Sequence, residues 1–156
     1  MYESLSRLIR AKNPEQASGS LASNLTDQVT GNTQWSMAYG YDNNGNLTAR
    51  VDARNITTNY DYDALNRNKT VTYTNDPAST AAVTRRCDGW GPDANGNPMN
   101  YNIPNGKGRA WQVETSGATG SRYTIDIYDV MGRPTKQEQQ FYSSGSWSQS
   151  YIIQRG

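Results

Sequence analysis

One six-residue pattern recurs along the chain and limits the possible folds more than any other feature of the sequence. It consists of a tyrosine, an acidic residue, two variable residues, a small turn-forming residue (Gly, Asn or Ser), and an arginine or asparagine. Four copies occupy residues 2–7, 41–46, 62–67 and 128–133, and 106–110 keeps only the second half of the pattern. The final positions of the copies, at 7, 46, 67, 109 and 133, are mostly separated by distances close to multiples of 21. Such internal periodicity predicts a repeat architecture.

The residues on either side of the pattern predict antiparallel β-hairpins. Side chains alternate with period two in Met37–Tyr41 and in 60–62, which places pairs of tyrosines on one face of a strand. The runs that follow, at 47–51 and 69–73, are rich in β-branched residues and read as return strands. Between them, the acidic residue can bond backbone amides ahead of it, and the Gly or Asn tolerates positive φ. The sequence therefore predicts an all-β chain in which each repeat comprises two strands and two turns.

Composition excludes several classes of protein. Leu, Ile, Val and Phe together supply only 20 of the 156 residues, so 11 tyrosines and 4 tryptophans must carry much of the core. A net charge of +1 gives no basic surface for nucleic acid, and no apolar run is long enough for membrane insertion. The single Cys87 and the absence of histidine exclude an internal disulfide and Cys/His zinc sites. We expect no cofactor, no metal and no catalytic site.

Two stretches do not fit the repeat and are interpreted as irregular insertions, at about 17–32 and 76–104, within a single partial array covering 1–156. The apolar residues within 3–10 also have the spacing of a helix, but we prefer to interpret these residues as part of the repeat. The last segment, 146–156, alternates like a strand and has no closing turn, so we expect this chain to be part of a longer array. The first residues lack the charged-then-apolar pattern of a signal peptide, so we expect none within this segment.

The motif and its spacing resemble those of the YD-repeat, or Rhs-repeat, family of bacterial surface and polymorphic-toxin proteins. The chain departs from the family pattern at Glu3, Asn46 and Asn66, at Ser6, and in having no Tyr-Asp before Gly108 and Arg109. The motif residues to which the resemblance assigns a structural role are Tyr2, Arg7, Tyr41, Asp42, Gly45, Asn46, Tyr62, Asp63, Arg67, Gly108, Arg109, Tyr128, Asp129, Gly132 and Arg133.

This resemblance implies a curved, spiralling antiparallel sheet of β-hairpins, an open segment of a shell that encloses a toxin or another cargo. The expected partners are the remaining repeats of the same or a longer chain and an enclosed toxin domain. The expected location is the cell surface or the outside of the cell, as part of a longer exported protein. In such shells the tyrosines, here Tyr39, Tyr41, Tyr60 and Tyr62, are expected to point inward and to stack between strands.

A second hypothesis is a cell-surface adhesion module that binds carbohydrate or a partner protein through aromatic and Asn-rich faces. Exposed tryptophans on one face would favour it, whereas buried packing is the preferred interpretation of Trp35, Trp90, Trp111 and Trp147. Three further patterns have a simpler explanation than a ligand site. The Asp-to-Arg pairs at 63–67 and 129–133 are explained by turn chemistry. Asp61 and Asp63 have the spacing of paired catalytic carboxylates, but the sequence supplies no cleft for acid–base catalysis. The segment 93–97 lacks the glycine and the glutamate of a calcium-binding loop.

Overall fold

The computed structural model of the protein describes residues 1–16, 21–22, 25–92, 96–117 and 119–155. Within these residues the chain forms fifteen β-strands joined by turns, and every strand pairing is antiparallel. The all-β prediction is therefore confirmed, with large antiparallel sheets as its main elements. The spiral curvature expected from the resemblance stays a prediction. No helix that could cross a membrane is found in the part of the chain described.

The chain divides into two compact units, 1–80 and 81–156. In the first unit, β1, β4, β5, β6 and β7 pair in that order, and β2 pairs with β3 separately. Its strands are β1 (Arg10–Ala11), β2 (Leu21–Ala22), β3 (Gln34–Trp35), β4 (Met37–Tyr41), β5 (Leu47–Val51), β6 (Thr57–Tyr62) and β7 (Asn68–Thr74). The hairpins predicted around 41–46 and 62–67 are both present.

In the second unit, β8, β11, β12 and β13 pair in order, and both β14 and β15 lie along the outer edge of β13. A short separate hairpin joins β9 to β10. The strands are β8 (Val83–Cys87), β9 (Trp90–Pro92), β10 (Pro98–Asn100), β11 (Ala110–Thr115), β12 (Gly120–Tyr128), β13 (Pro134–Ser143), β14 (Ser146–Trp147) and β15 (Tyr151–Gln154). The strand character expected for 146–156 is thus seen in β14 and β15.

The core is sparse. Six apolar side chains are buried among the described residues, and no large side chain is less than 2% exposed. The six are Trp35, Ala38, Ile56, Val71, Trp111 and Tyr128. The expectation of buried tryptophans holds for Trp35 and Trp111, whereas Trp147 is half-buried and Trp90 is 54% exposed, so for Trp90 the expectation is wrong. These sheets are stabilised by backbone pairing more than by a thick apolar interior.

The structure narrows the second irregular region. Residues 76–104 include β8, which is a regular strand paired with β11. The described residues that leave the sheet are therefore only about 89–92 and 96–107, which we call segment 89–107. It departs from the ladder because Asp88 has a φ of 61° and turns the chain away from β8. Of the first irregular region, 17–20 and 23–24 lie outside the described residues, and β2 pairs with β3 beside them.

Candidate functional site

The structural site repeated along this chain is the turn that follows each motif tyrosine, and 63–67 shows its chemistry. The amide of Asp63 donates to the carbonyl of Arg67 at 3.0 Å, and the amide of Asn66 donates to the carbonyl of Asp63 at 3.0 Å. One carboxylate oxygen of Asp63 accepts the amides of Leu65 and Arg67, and the other accepts Nε of Arg67 at 2.7 Å. Asn66 adopts a φ of 60°, which asparagine tolerates. The acidic residue thus closes the turn through its backbone and side chain together.

The same two backbone hydrogen bonds close the turns that begin at Glu3, Asp42 and Asp129. At Asp42 the final residue is asparagine, yet its Nδ2 reaches the Asp42 carboxylate at 2.8 Å, as the arginine does elsewhere. The departures from the family pattern therefore preserve the turn. The Asp-to-Arg pairs bind within their own turns at 2.7 Å and present no convergent pocket for an acidic ligand.

A further turn of this kind was missed by the sequence analysis. Asp52 begins it, with its amide donating to the carbonyl of Ile56 at 3.0 Å and Asn55 at a φ of 64°. Valine stands where the motif has tyrosine, and the last residue is Ile56, whose side chain is buried. The signal that would have found it is an Asp three residues before an Asn, between two strand-like runs.

Another copy is interrupted by the segment that leaves the sheet. The amide of Asp88 donates to the carbonyl of Arg109 at 3.0 Å, and the carboxylate of Asp88 accepts the amide of Gly108 at 2.6 Å. Cys87 pairs with Ala110, just as Tyr62 pairs with Asn68 in the uninterrupted copy. The acidic residue that seemed to be missing before Gly108 is therefore Asp88, and Cys87 occupies the tyrosine position.

Motif tyrosines connect each copy to the one before it in three cases. Tyr41 donates its hydroxyl to the carbonyl of Leu8 at 2.9 Å, and Tyr62 donates to the carbonyl of Leu47 at 2.9 Å. Tyr128 donates to the carbonyl of Ala110. Each acceptor immediately follows the last residue of the preceding copy, so the three bonds obey one rule. We call this contact the tyrosine latch.

The latch lies beside a β-bulge that recurs at the same point of the repeat. The register skips one residue in each return strand, two positions after the end of the motif. The extra residues are Thr48, Lys69, Trp111 and Thr135. A bulge interrupts the ladder of hydrogen bonds, and for two of these bulges a tyrosine hydroxyl supplies a donor to the carbonyl next to it.

Arginine at the end of one copy also packs on the next. The guanidinium carbon of Arg7 lies 4.9 Å from the centre of the Tyr41 ring, and that of Arg109 lies 5.5 Å from the centre of the Tyr128 ring. The Arg109 guanidinium also occupies the space into which a Cβ at Gly132 would project. Gly132 therefore has two reasons to be glycine, its φ of 80° and this close approach.

Electrostatics agree with this geometry. The backbone amide of Arg67 lowers the pKa of Asp63, the side-chain hydrogen bond from Asn46 lowers that of Asp42, and the amide of Arg133 lowers that of Asp129. Burial raises the pKa of Tyr62 and Tyr128. These three carboxylates therefore remain ionised acceptors, and the hydroxyls of Tyr62 and Tyr128 remain donors, across the physiological pH range.

The other sites considered from sequence are not assembled. Asp63 is committed to its own turn, while the exposed carboxylate of Asp61 lies 3.6 Å from the ammonium of Lys69, so the two do not share a cleft. The segment 93–97 lies largely outside the described residues. Within the described residues, no group of three His, Cys, Asp or Glu side chains could hold a metal ion. No protein-family model and no curated protein matches the chain.

Proposed function

We propose that this chain is a structural, non-catalytic segment of a YD-repeat wall that closes around a toxin or another cargo. The wall would belong to a longer exported protein, at the cell surface or outside the cell. The observation that carries the proposal is the tyrosine latch, which joins one copy of the motif to the next by the same contact in both units. A contact repeated at the same position suits an extended array better than a single binding pocket.

The mechanism of such a wall is exclusion. Backbone groups are paired along the ladder, and the latch supplies a donor near the points where the bulges interrupt the pairing. A continuous hydrogen-bonded sheet leaves no gap through which a protease could reach the cargo. The turn carboxylates use their acceptors within their own turns, so they would leave the cargo without strong charged contacts.

The recurring bulge also supports the expected curvature. Each bulge bends its strand and increases the local right-handed twist. The four bulges occupy equivalent positions relative to the motif, at Thr48, Lys69, Trp111 and Thr135. Each should therefore bend its strand in the same direction relative to the motif. Repeated many times along an array, such deviations would turn a flat ribbon into a spiral.

The proposal is tested on the longest natural chain that contains this segment. We expect electron microscopy to show a hollow shell with density inside it, and limited proteolysis to leave the enclosed segment intact. A solid particle, or cargo cleaved as fast as in the denatured protein, would refute the proposal.

A pair of double variants tests the role of the latch. Tyr41→Phe with Tyr62→Phe removes two latch hydroxyls and should increase cleavage of the enclosed segment. Tyr39→Phe with Tyr60→Phe is the matched control, because these tyrosines lie in the same strands and do not form latches. Equal cleavage of the two double variants would show that the latch does not seal the wall.

A further inference from the structure

Segment 89–107 folds across one face of the sheet in the second unit and packs on an arginine of β8. Trp111 donates its indole Nε1–H to the carbonyl of Trp90 at 3.0 Å, so the backbone of the segment lies over the indole. A Cβ at Gly91 would lie 2.9 Å from the Trp111 ring and 3.0 Å from Cδ of Arg86. The aliphatic stem of Arg86 is therefore packed against the segment, which restricts where its guanidinium can lie.

Two arginine side chains on this face share a single carboxylate. Nε of Arg122 lies 2.9 Å from one oxygen of Glu114, and an Nη of Arg86 lies 3.5 Å from the same oxygen. That Nη of Arg86 also donates to the side-chain carbonyl oxygen of Gln112. These side chains lie on neighbouring strands, where the register sets Glu114 of β11 opposite Arg122 of β12. The group therefore has one more positive than negative charge.

The shared carboxylate leaves most of the guanidinium donors unused. A guanidinium has five N–H donors, yet Arg122 uses only its Nε, and Arg86 only one Nη, in hydrogen bonds to the described residues. The side chains of Arg86 and Arg122 are only 19% and 29% exposed. Because these charges are partly withdrawn from water, they attract an anionic acceptor more strongly than fully exposed arginines would.

A cleft of about 280 Å³ gives a ligand access to these donors. Among the described residues that line it, the charged ones are the two arginines and the one carboxylate that they share. A neighbouring cleft of about 370 Å³ also includes Arg122 and Tyr101. The carboxylate that lines this second cleft, Asp126, lies 2.9 Å from the ammonium of Lys136 and is compensated by it. Together the two clefts have the size of a small-molecule site.

Tyr101 forms an apolar wall of the cleft and is held in place by two contacts. Its hydroxyl donates to the carbonyl of Pro92 at 2.6 Å, and its ring lies 4.8 Å from the Trp111 ring, centre to centre. Tyr101 nevertheless remains 40% exposed, whereas Trp111 is 4% exposed. The part of the Tyr101 ring that Trp111 does not cover is therefore available to stack on a flat apolar group.

The charge balance and the unused donors select the head group of a ligand. A monoanion neutralises the single excess positive charge, whereas a dianion such as phosphate would leave a negative charge uncompensated beside Glu114. Among monoanions, a carboxylate is planar and matches the guanidinium fork with two parallel hydrogen bonds. The exposed part of the Tyr101 ring adds a preference for a flat apolar body. These features together describe an aromatic monocarboxylate.

We propose that the cleft beneath segment 89–107 binds a small aromatic monocarboxylate, whose carboxylate accepts hydrogen bonds from Arg86 and Arg122 while its ring stacks on Tyr101. The observation that carries this assignment is that two arginines with unused donors share one carboxylate inside a cleft. The site goes beyond the wall function, because it is built on the segment that interrupts the repeat and not on the turns of the repeat.

The test is calorimetric titration of the 156-residue chain with benzoate, phenylacetate and 3-phenylpropionate. At least one of these acids should bind and change the tryptophan fluorescence, because Trp111 lines the cleft. The matched control ligand is the corresponding primary amide, which has nearly the same shape and no charge. The amide should bind at least about tenfold more weakly than its acid. Inorganic phosphate should also bind more weakly than the acid.

Three variants test which side chains hold the carboxylate. Arg86→Gln should raise the dissociation constant about tenfold, because the ligand loses a charged donor. Arg85→Gln is the matched control, since it removes the same charge from the neighbouring residue of β8, which points to the opposite face of the sheet. Glu114→Gln should instead tighten binding about fivefold, because it removes the negative charge that competes for both guanidiniums. Circular dichroism checks that each variant keeps its β-sheet signal.

The proposal is overturned if none of the three acids binds, or if the amide or inorganic phosphate binds as tightly as the acid. Equal weakening by Arg86→Gln and Arg85→Gln would also overturn it, since the effect would then come from net charge alone. If Arg86→Gln does not fold, Glu114→Gln decides, because a purely structural role for the cluster predicts weaker binding and the proposed site predicts tighter binding. None of these outcomes bears on the wall, which is tested by microscopy and proteolysis.

Discussion

The uninterrupted turn at 63–67 and the interrupted turn between Asp88 and Arg109 are closed by the same backbone hydrogen bond, 3.0 Å long in each. Three residues separate the ends of the first, and twenty, 89–108, separate those of the second. The strands nevertheless pair in the same way, with Tyr62 opposite Asn68 and Cys87 opposite Ala110. The comparison teaches that this hairpin is defined by its two ends, whereas the residues between them are free to acquire another role.

The largest expected effect on stability comes from Trp111, the bulged residue that follows the interrupted turn. Trp111→Ala should lower the free energy of unfolding by about 3 kcal/mol, because the indole is buried beneath segment 89–107. Lys69→Ala, at the equivalent position of the uninterrupted turn, should change it by less than about 0.5 kcal/mol, because Lys69 is exposed. Denaturant unfolding of both variants measures the difference. Similar losses of unfolding free energy would show that Trp111 contributes no more to stability than Lys69 does.

A second pair compares glycines that both have positive φ, Gly132 at 80° and Gly108 at 77°. Gly108→Ala should cost about 1 kcal/mol through backbone strain alone, since a Cβ there meets nothing within 4 Å. Gly132→Ala should cost about 2 kcal/mol, because the added Cβ also displaces the Arg109 guanidinium. Thermal unfolding of the two variants ranks them, and the reverse order would argue against the packing of Arg109 on the next turn.

The latch is expected to contribute less. Tyr62→Phe should destabilise the chain by about 1 kcal/mol, because the Leu47 carbonyl loses its hydroxyl donor. Tyr60→Phe is the control, since its hydroxyl makes no hydrogen bond to another described residue, and it should be nearly neutral. Chemical denaturation distinguishes them, and equal midpoints would mean that water replaces the latch at no cost.

Acidification should have the smallest effect on the stability of each turn. Hydrogen bonds lower the pKa of Asp42, Asp63 and Asp129 below the ordinary value of 3.8. These carboxylates therefore contribute stability that is fully present above pH 3.8 and is lost as the pH falls through their lowered pKa values. Burial instead raises the pKa of Asp126, so its contribution has the opposite sign and is lost as the pH rises.

Carboxyl carbon chemical shifts, followed by NMR from pH 6 to about pH 2, measure each pKa directly. Asp63→Asn should remove the part of the stability loss at low pH that protonation of Asp63 causes. Titration of Asp63 at or above the ordinary value of 3.8 would contradict the closed turn.

The sequence predicted the hairpins around Asp42, Asp63 and Asp129 because their chemistry is local, with all its groups within five residues. It did not reveal that Asp88 replaces the missing acid, since a twenty-residue separation removes the local signal. The exposure of Trp90 and the burial of Trp111 depend on where segment 89–107 folds, which no short pattern encodes.

The sparse core described above has a calorimetric consequence. Unfolding exposes little apolar surface that was fully buried, but it exposes long ladders of polar backbone. Newly exposed apolar surface raises the heat capacity, while polar surface lowers it. The heat-capacity increment of this chain should therefore fall below the usual figure of about 12 cal/mol/K per residue. Its stability would then change little between cold and warm conditions.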